Sequence, residues 1–200
     1  MSGHHHNVTR GYGFLEGHLA RKRAGQANSL ILQSARKGRV LDIGCGTFPH
    51  FLMNTNFKEK FGIDSSLSEK VKEVKGIKLL KTHIQKKKLP FEDNFFDTVV
   101  MLAVFEHIEF DNIPFLLHEI KRILKKNGQF IITTPSPLAV WPLLILSHTG
   151  FISKVEIEDH KHALEKSYIT DVLMQAGFSQ KNTKSGYFEF GMNMWFDVRK

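Results

Sequence analysis

Short apolar runs alternate along this chain with longer stretches in which apolar residues recur every three or four positions. Val40 to Ile43 is an apolar run stopped by Gly44 and reads as a buried strand. Phe61-Gly62-Ile63-Asp64, Ile77 to Leu80, Asp97 to Val104 and Gln129 to Thr133 read as four more. Tyr187 to Phe190 and Met194 to Val198 flank Gly191 and predict a closing hairpin. Helices are predicted over Arg10 to Ala35, Pro49 to Phe57, Ser65 to Val74, Asn112 to Lys125 and Ser167 to Ala176. Pro49 and Pro114 fall in first turns, Ser65 or Ser66 serves as an N-cap, and Asn127-Gly128 and Gly177 serve as stops. The alternation predicts an open, mostly parallel α/β sheet with helices on both faces and one antiparallel edge.

Composition adds limits. A chain of 200 residues makes one ordinary domain and can bury a full core without disulfides. Cys45 is the sole cysteine, so no intramolecular disulfide forms, in keeping with a reducing, cytoplasmic setting. Met1 to His6 carries three histidines and no apolar core, so residues 1–9 read as a disordered or tag-like start. Residues 10–200 then form a single domain, with 10–35 as an N-terminal helical extension. The apolar run Leu138 to Leu146, interrupted by Pro142, is too short to span a bilayer, so no transmembrane segment is expected. The net charge is +8, and eight lysines lie between Lys70 and Lys88, near Glu69 and Glu73. Such a patch suits RNA, but aromatic residues are not interleaved with it as a single-strand binder requires. A solvated basic face is the plainer reading.

The chemistry-bearing feature is the end of the first strand. Asp42-Ile43-Gly44-Cys45-Gly46 places two glycines where an open sheet binds its ligands, at the carboxyl ends of strands. A dinucleotide fingerprint fails because Pro49 stands where its last glycine belongs, and no phosphate-binding Gly-Lys-Ser/Thr is present. Asp64 follows at the end of the second strand, where an acid can accept hydrogen bonds from ribose hydroxyls. Leu89-Pro90-Phe91-Glu92-Asp93-Asn94-Phe95-Phe96-Asp97-Thr98-Val99-Val100, Lys125 to Gln129 and Ala176-Gly177-Phe178 come next in order.

In that order these segments resemble the class I S-adenosylmethionine-dependent methyltransferases, in their small-molecule branch, over about residues 36 to 200. The resemblance implies a Rossmann-like, doubly wound seven-stranded sheet with an antiparallel C-terminal hairpin strand. It implies S-adenosyl-L-methionine as cofactor and S-adenosyl-L-homocysteine as product. The implied cofactor contacts are Asp42, Gly44, Cys45, Gly46, Asp64, Ser65, His83, Ile84, Ala103 and Phe105. Asp42 would orient the loop, and Asp64 would hold the ribose. The Leu89 to Val100 segment has a structural role, with Phe96 packing the sheet edge. Two departures stand out. Phe48 replaces a glycine common in the family, and Thr82-His83-Ile84-Gln85 lacks the acid that usually meets the adenine amino group. His83, then Gln85, is the stand-in by spacing.

Methyl transfer from a sulfonium needs in-line positioning and, for a hydroxyl acceptor, a base. Val104-Phe105-Glu106-His107 resembles the Glu-His segment of small-molecule enzymes. His107 is either a general base or a histidine that orders the strand-to-helix turn. The sequence lacks the Asn/Asp-Pro-Pro-aromatic signature of DNA adenine enzymes, and Cys45 sits in the loop rather than at a cytosine-attacking position. Ala103 stands where some relatives place a further metal-binding acid, so no metal is expected. Glu106, Trp141 and His160 are candidate acceptor contacts, and residues 135–160 a candidate acceptor lid. His160 and His162 with Glu158 and Asp159 read as a polar loop. The expected partner is a small, partly apolar acceptor, bound by a monomer or homodimer. The alternatives are an RNA methyltransferase using the lysine face, and a cofactor-binding scaffold without catalysis.

Overall fold

The structure is a computed structural model, described for residues 14–70, 73–84, 88–139 and 164–200. Among the described residues, eight strands form one sheet: β1 (Arg39–Ile43), β2 (Glu59–Asp64), β3 (Glu73–Val74), β4 (Ile77–Lys81), β5 (Phe96–Leu102), β6 (Leu124–Pro135), β7 (Thr183–Phe188) and β8 (Asn193–Arg199). Their order is β3-β4-β2-β1-β5-β6-β8-β7. β4, β2, β1, β5 and β6 run parallel, while β8 runs antiparallel to both β6 and β7. The strand count is one above the expected seven, because β3 adds a short antiparallel edge.

β3 also replaces the helix expected over Ser65 to Val74. Lys75 and Gly76 both take positive φ, 50° and 74°, the two-residue hairpin geometry that turns the chain straight back into β4. The helix expected from Pro49 shrinks to one turn, α2 (His50–Met53). The first helix, α1, spans Phe14–Leu30 and is followed by a 3-10 turn at Gln33–Lys37. The helix expected to reach Lys125 ends sooner. It is α3 (Ile113–Ile123), and the chain extends into β6 from Leu124, with Asn127 turning at φ 62°. The last helix, α4 (Lys166–Gln175), closes at Gly177, whose φ of 83° suits a residue without Cβ.

Alternation along the strands splits the core into two faces. Leu41, Ile43, Ile63, Val99, Phe130 and Ile132 pack with Leu116, Leu117 and Ile120 of α3 and with Ile169 and Leu173 of α4. Val40, Val100, Ile131 and Leu79 pack on the opposite face with Ala24 and Ala27 of α1 and with Phe51 and Leu52 of α2. The helix α1 is pinned at its C-terminal end. Buried Gln129 donates to Leu30 O at 2.9 Å and to Asp197 Oδ1 at 2.7 Å.

The Leu89 to Val100 segment anchors the amino end of the sheet, opposite the glycine loop. Phe96 is fully buried and meets Phe61, Phe91 and Phe95 edge-on. The Arg122 guanidinium holds Glu119, Asp93 and the carbonyls of Leu89 and Phe91. Asp97 accepts from the Arg39 N–H at 2.8 Å and from Lys125 Nζ at 2.7 Å. These contacts are structural and lie away from the ligand-binding end.

Candidate functional site

β1 lies between β2 and β5, and the chain leaves it on both sides, so the carboxyl ends of β1 and β5 border a crevice. The loop Gly44-Cys45-Gly46 opens there. Gly44 has φ 79° and Gly46 φ 70°, and a Cβ on Gly44 would lie 2.3 Å from Val104 Cγ2. Glycine is therefore required twice over at position 44, by backbone conformation and by the close approach of the β5 exit. The N–H groups of Gly44 and Cys45 both point at Ile63 O, at 2.8 and 3.2 Å.

Asp64 ties the second strand to the loop. One carboxylate oxygen accepts from the Gly46 N–H at 2.9 Å, and the other from the Ser66 N–H at 2.8 Å. The group is 2% exposed. A carboxylate has about four acceptor positions, so ribose hydroxyls can be accommodated alongside these bonds. Ser65 lies on the same turn and is exposed. Cys45 is buried, its thiol directed down onto Gly62, where a Cβ would lie 2.8 Å from Sγ. What Cys45 presents to the crevice is main chain.

Asp42 is 4% exposed. Burial away from water, and then the charge of Asp64, push its carboxyl up to about 8, so it is neutral near pH 7. The loop amide at Gly46 is thus held by Asp64, whereas Asp42 sits beneath as a buried acid.

On the β5 side, Ala103 takes φ 54°, a conformation uncommon for a residue with a Cβ, while its N–H donates to Thr133 O at 2.8 Å. Phe105 is fully buried. Glu106 is 5% exposed and accepts from Thr134 Oγ1 at 3.1 Å, so it faces inward. His107 is exposed on the same 3-10 turn, Phe105–His107. His83 is exposed and Ile84 half-buried after β4. Phe48 is 56% exposed beside the loop. Gln85, Trp141, His160 and most of the expected lid lie outside the described residues.

The structure thus brings together the loop, Asp42, Asp64, Ser65, Ala103 and the Phe105–His107 turn. Val104, Gly62 and Ser66 are added by it. Gly62 left a trace in the sequence as a glycine inside a strand, which often marks a close approach, and Ser66 did so as a cap candidate. The arrangement fits an adenosyl cofactor in two respects. The glycine loop, in positive φ at Gly44 and Gly46, turns its main chain at the strand ends, and a buried carboxylate stands at the end of the neighbouring strand.

Residues 41–132 match the family described as a methyltransferase domain. An uncharacterised protein of Methanocaldococcus jannaschii is 37% identical over 95 residues, covering 46% of this chain and 39% of that protein. The chain thus matches well under half the length of that curated relative. Among solved structures, a methyltransferase of Archaeoglobus fulgidus superposes with a TM-score of 0.68 at 18% identity, covering 94% of this chain and 95% of that one. A methyltransferase of Thermotoga maritima gives 0.67 at 23% identity, with 94% and 92% covered. One from Mesorhizobium loti gives 0.64 at 16% identity, with 91% and 100% covered. All three are described as dependent on S-adenosylmethionine, and at these identities they speak for the fold. Residues 41–132 thus match a methyltransferase domain, and the sheet has the fold of S-adenosylmethionine-dependent methyltransferases, both in agreement with the motif order.

Proposed function

We propose that this protein transfers a methyl group to a small, partly apolar acceptor. The observation that carries the reading is the Gly44–Gly46 loop held by Asp64 at the sheet's switch point. When bound, S-adenosylmethionine supplies an activated methyl group and leaves as S-adenosylhomocysteine. The loop main chain and Asp64 would hold it, with Ser65, His83 and Ile84 at the β2 and β4 ends and Ala103 at the β5 end. The protein's own contribution is positioning and exclusion of water. His107, exposed on the same turn, would take a proton from a hydroxyl acceptor. Glu106 is engaged with Thr134 and serves the turn.

The small-molecule reading is preferred over RNA for an electrostatic reason. Lys78 pairs with Glu59 at 3.2 Å and Lys81 with Glu69 at 3.5 Å, so part of the lysine face is already neutralised. The test is transfer of labelled methyl groups into a deproteinised cell extract split into solvent-extractable and RNA fractions. Label in the extractable fraction is expected. Label confined to RNA, or no transfer by protein that binds the cofactor, would refute the proposal.

A further inference from the structure

The two core faces differ in how well their polar groups are satisfied. The buried side-chain atoms without a hydrogen-bond partner among the described residues fall on the face covered by α1 and α2: Thr98 Oγ1, opposite Gln129 at the amino end of the sheet, His50 Nδ1 on α2, and Arg23 Nε, Thr133 Oγ1 and Asn193 Oδ1. Thr133 is fully buried and Asn193 is 5% exposed. An unpaired buried polar atom costs about 1–3 kcal/mol, so the last three, in one region, call for a ligand or solvent to complete them.

The ladder places Thr133 and Asn193 together. Thr133 stands opposite Trp195, and Pro135 opposite Asn193, so Thr133, Trp195 and Asn193 share one face of β6 and β8. Ile131 shares Thr133's parity and packs with Ala24 and Ala27, which makes that face the one under α1. The helix is fixed to Gln129 at Leu30, near the amino end of β6. Arg23, seven residues earlier, lies about 10 Å further toward the carboxyl end. Thr133 lies about 13 Å from Gln129 along β6. Helical side chains lean toward the helix N-terminus, which carries Arg23 toward Thr133 and Asn193. Trp195 provides a wall. A Cβ on Gly186 would lie 2.8 Å from three indole ring atoms, so the indole lies flat across that glycine.

This face continues the cofactor site. Asp42 and Asp64 have the parity of Val40 and Gly62 and so open on the same side, while Thr133 O accepts the Ala103 N–H. In the order β2-β1-β5-β6-β8, Thr133 and Asn193 stand two and three strands beyond the loop.

We propose that the acceptor pocket lies under α1, between Arg23, Thr133, Asn193 and Trp195, and that it takes a planar aromatic acceptor bearing an acidic group and a hydrogen-bond donor. Arg23 offers a donor-only guanidinium, which matches a carboxylate. Asn193 Oδ1 can only accept, so it matches a hydroxyl or amine. Thr133 can do either, and the indole face supports a flat ring. This inference rests on the proposed methyl transfer and specifies its acceptor.

Calorimetry on the full chain saturated with S-adenosylhomocysteine tests it, with 3-hydroxybenzoate, benzoate and phenol as probes. The expected order is 3-hydroxybenzoate tightest, with benzoate and phenol each weaker by about tenfold. Arg23→Gln should reduce 3-hydroxybenzoate to the affinity of phenol. Thr133→Val, close in shape, should weaken the hydroxylated probes and leave benzoate unchanged. Both variants should bind S-adenosylhomocysteine as the parent does, which shows that they are folded. If the parent binds S-adenosylhomocysteine but none of the probes, or if the variants bind them undiminished, the acceptor assignment is overturned. If S-adenosylhomocysteine itself does not bind, the methyl-transfer reading fails, and this one with it.

Discussion

Single residues at the head of the sheet carry the strictest requirements. At Gly44, positive φ and Val104 Cγ2 at 2.3 Å from a would-be Cβ act together. Gly44→Ala should cost about 1–3 kcal/mol of stability and abolish measurable cofactor binding. Denaturant unfolding and titration of the same sample check both parts. Asp42 gives a pH signature. Its folded-state value of about 8 lies above the ordinary 3.8, so the folded protein retains a proton that the unfolded chain releases. This contribution to stability is full below pH ~4 and is lost as pH rises toward ~8, at up to about 1.4 kcal/mol per pH unit. Asp42→Asn should flatten that dependence and be more stable than the parent at pH 8. Parallel pH profiles for the two proteins would contradict the assignment. Gly44, Gly46, Asp42 and Asp64 were legible in the sequence because glycine and acid spacing reflects local backbone geometry. Val104 was not, since an ordinary apolar residue announces no contact with a loop some sixty positions away.

The elements show where local pattern suffices and where it fails. β1, β2, β4 and β5 were legible because buried parallel strands are short apolar runs with sharp ends. The stretch after Asp64 was misread as helix. Its serines cap helices and turns alike, and the Lys75–Gly76 hairpin depends on pairing with β4, which no local window contains. The Leu89 to Val100 segment was recognisable by its length, and its partner Arg122 was not. Arg122 satisfies the buried Glu119 carboxylate and holds it below the usual carboxylate range, chiefly through their hydrogen bond. Arg122→Ala should destabilise the protein by about 2–4 kcal/mol, because Glu119 is left without its counter-charge. The site lies at the other end of the sheet, so cofactor affinity should hold within about twofold. A large loss of affinity in the still-folded variant would show that the two ends are coupled.

For the whole molecule, the alternation of strands and helices was enough to predict a doubly wound sheet, and the comparisons agree with it over more than nine-tenths of the chain. The order of the last strands was less legible. The hairpin was expected, but the insertion of β8 between β6 and β7 follows from burial of Met194, Phe196 and Val198 against β6. The doubly wound arrangement sets β1 between β2 and β5, and so joins Asp64, the glycine loop and the β5 exit in one crevice. The most direct test is isothermal titration of the full chain with S-adenosylmethionine, beside Asp64→Ala. Saturable one-site binding is predicted, weakened at least about tenfold in the variant through loss of charge-assisted hydrogen bonds. A folded parent protein that shows no binding at high micromolar cofactor, or a variant that binds as tightly as the parent, would contradict the account.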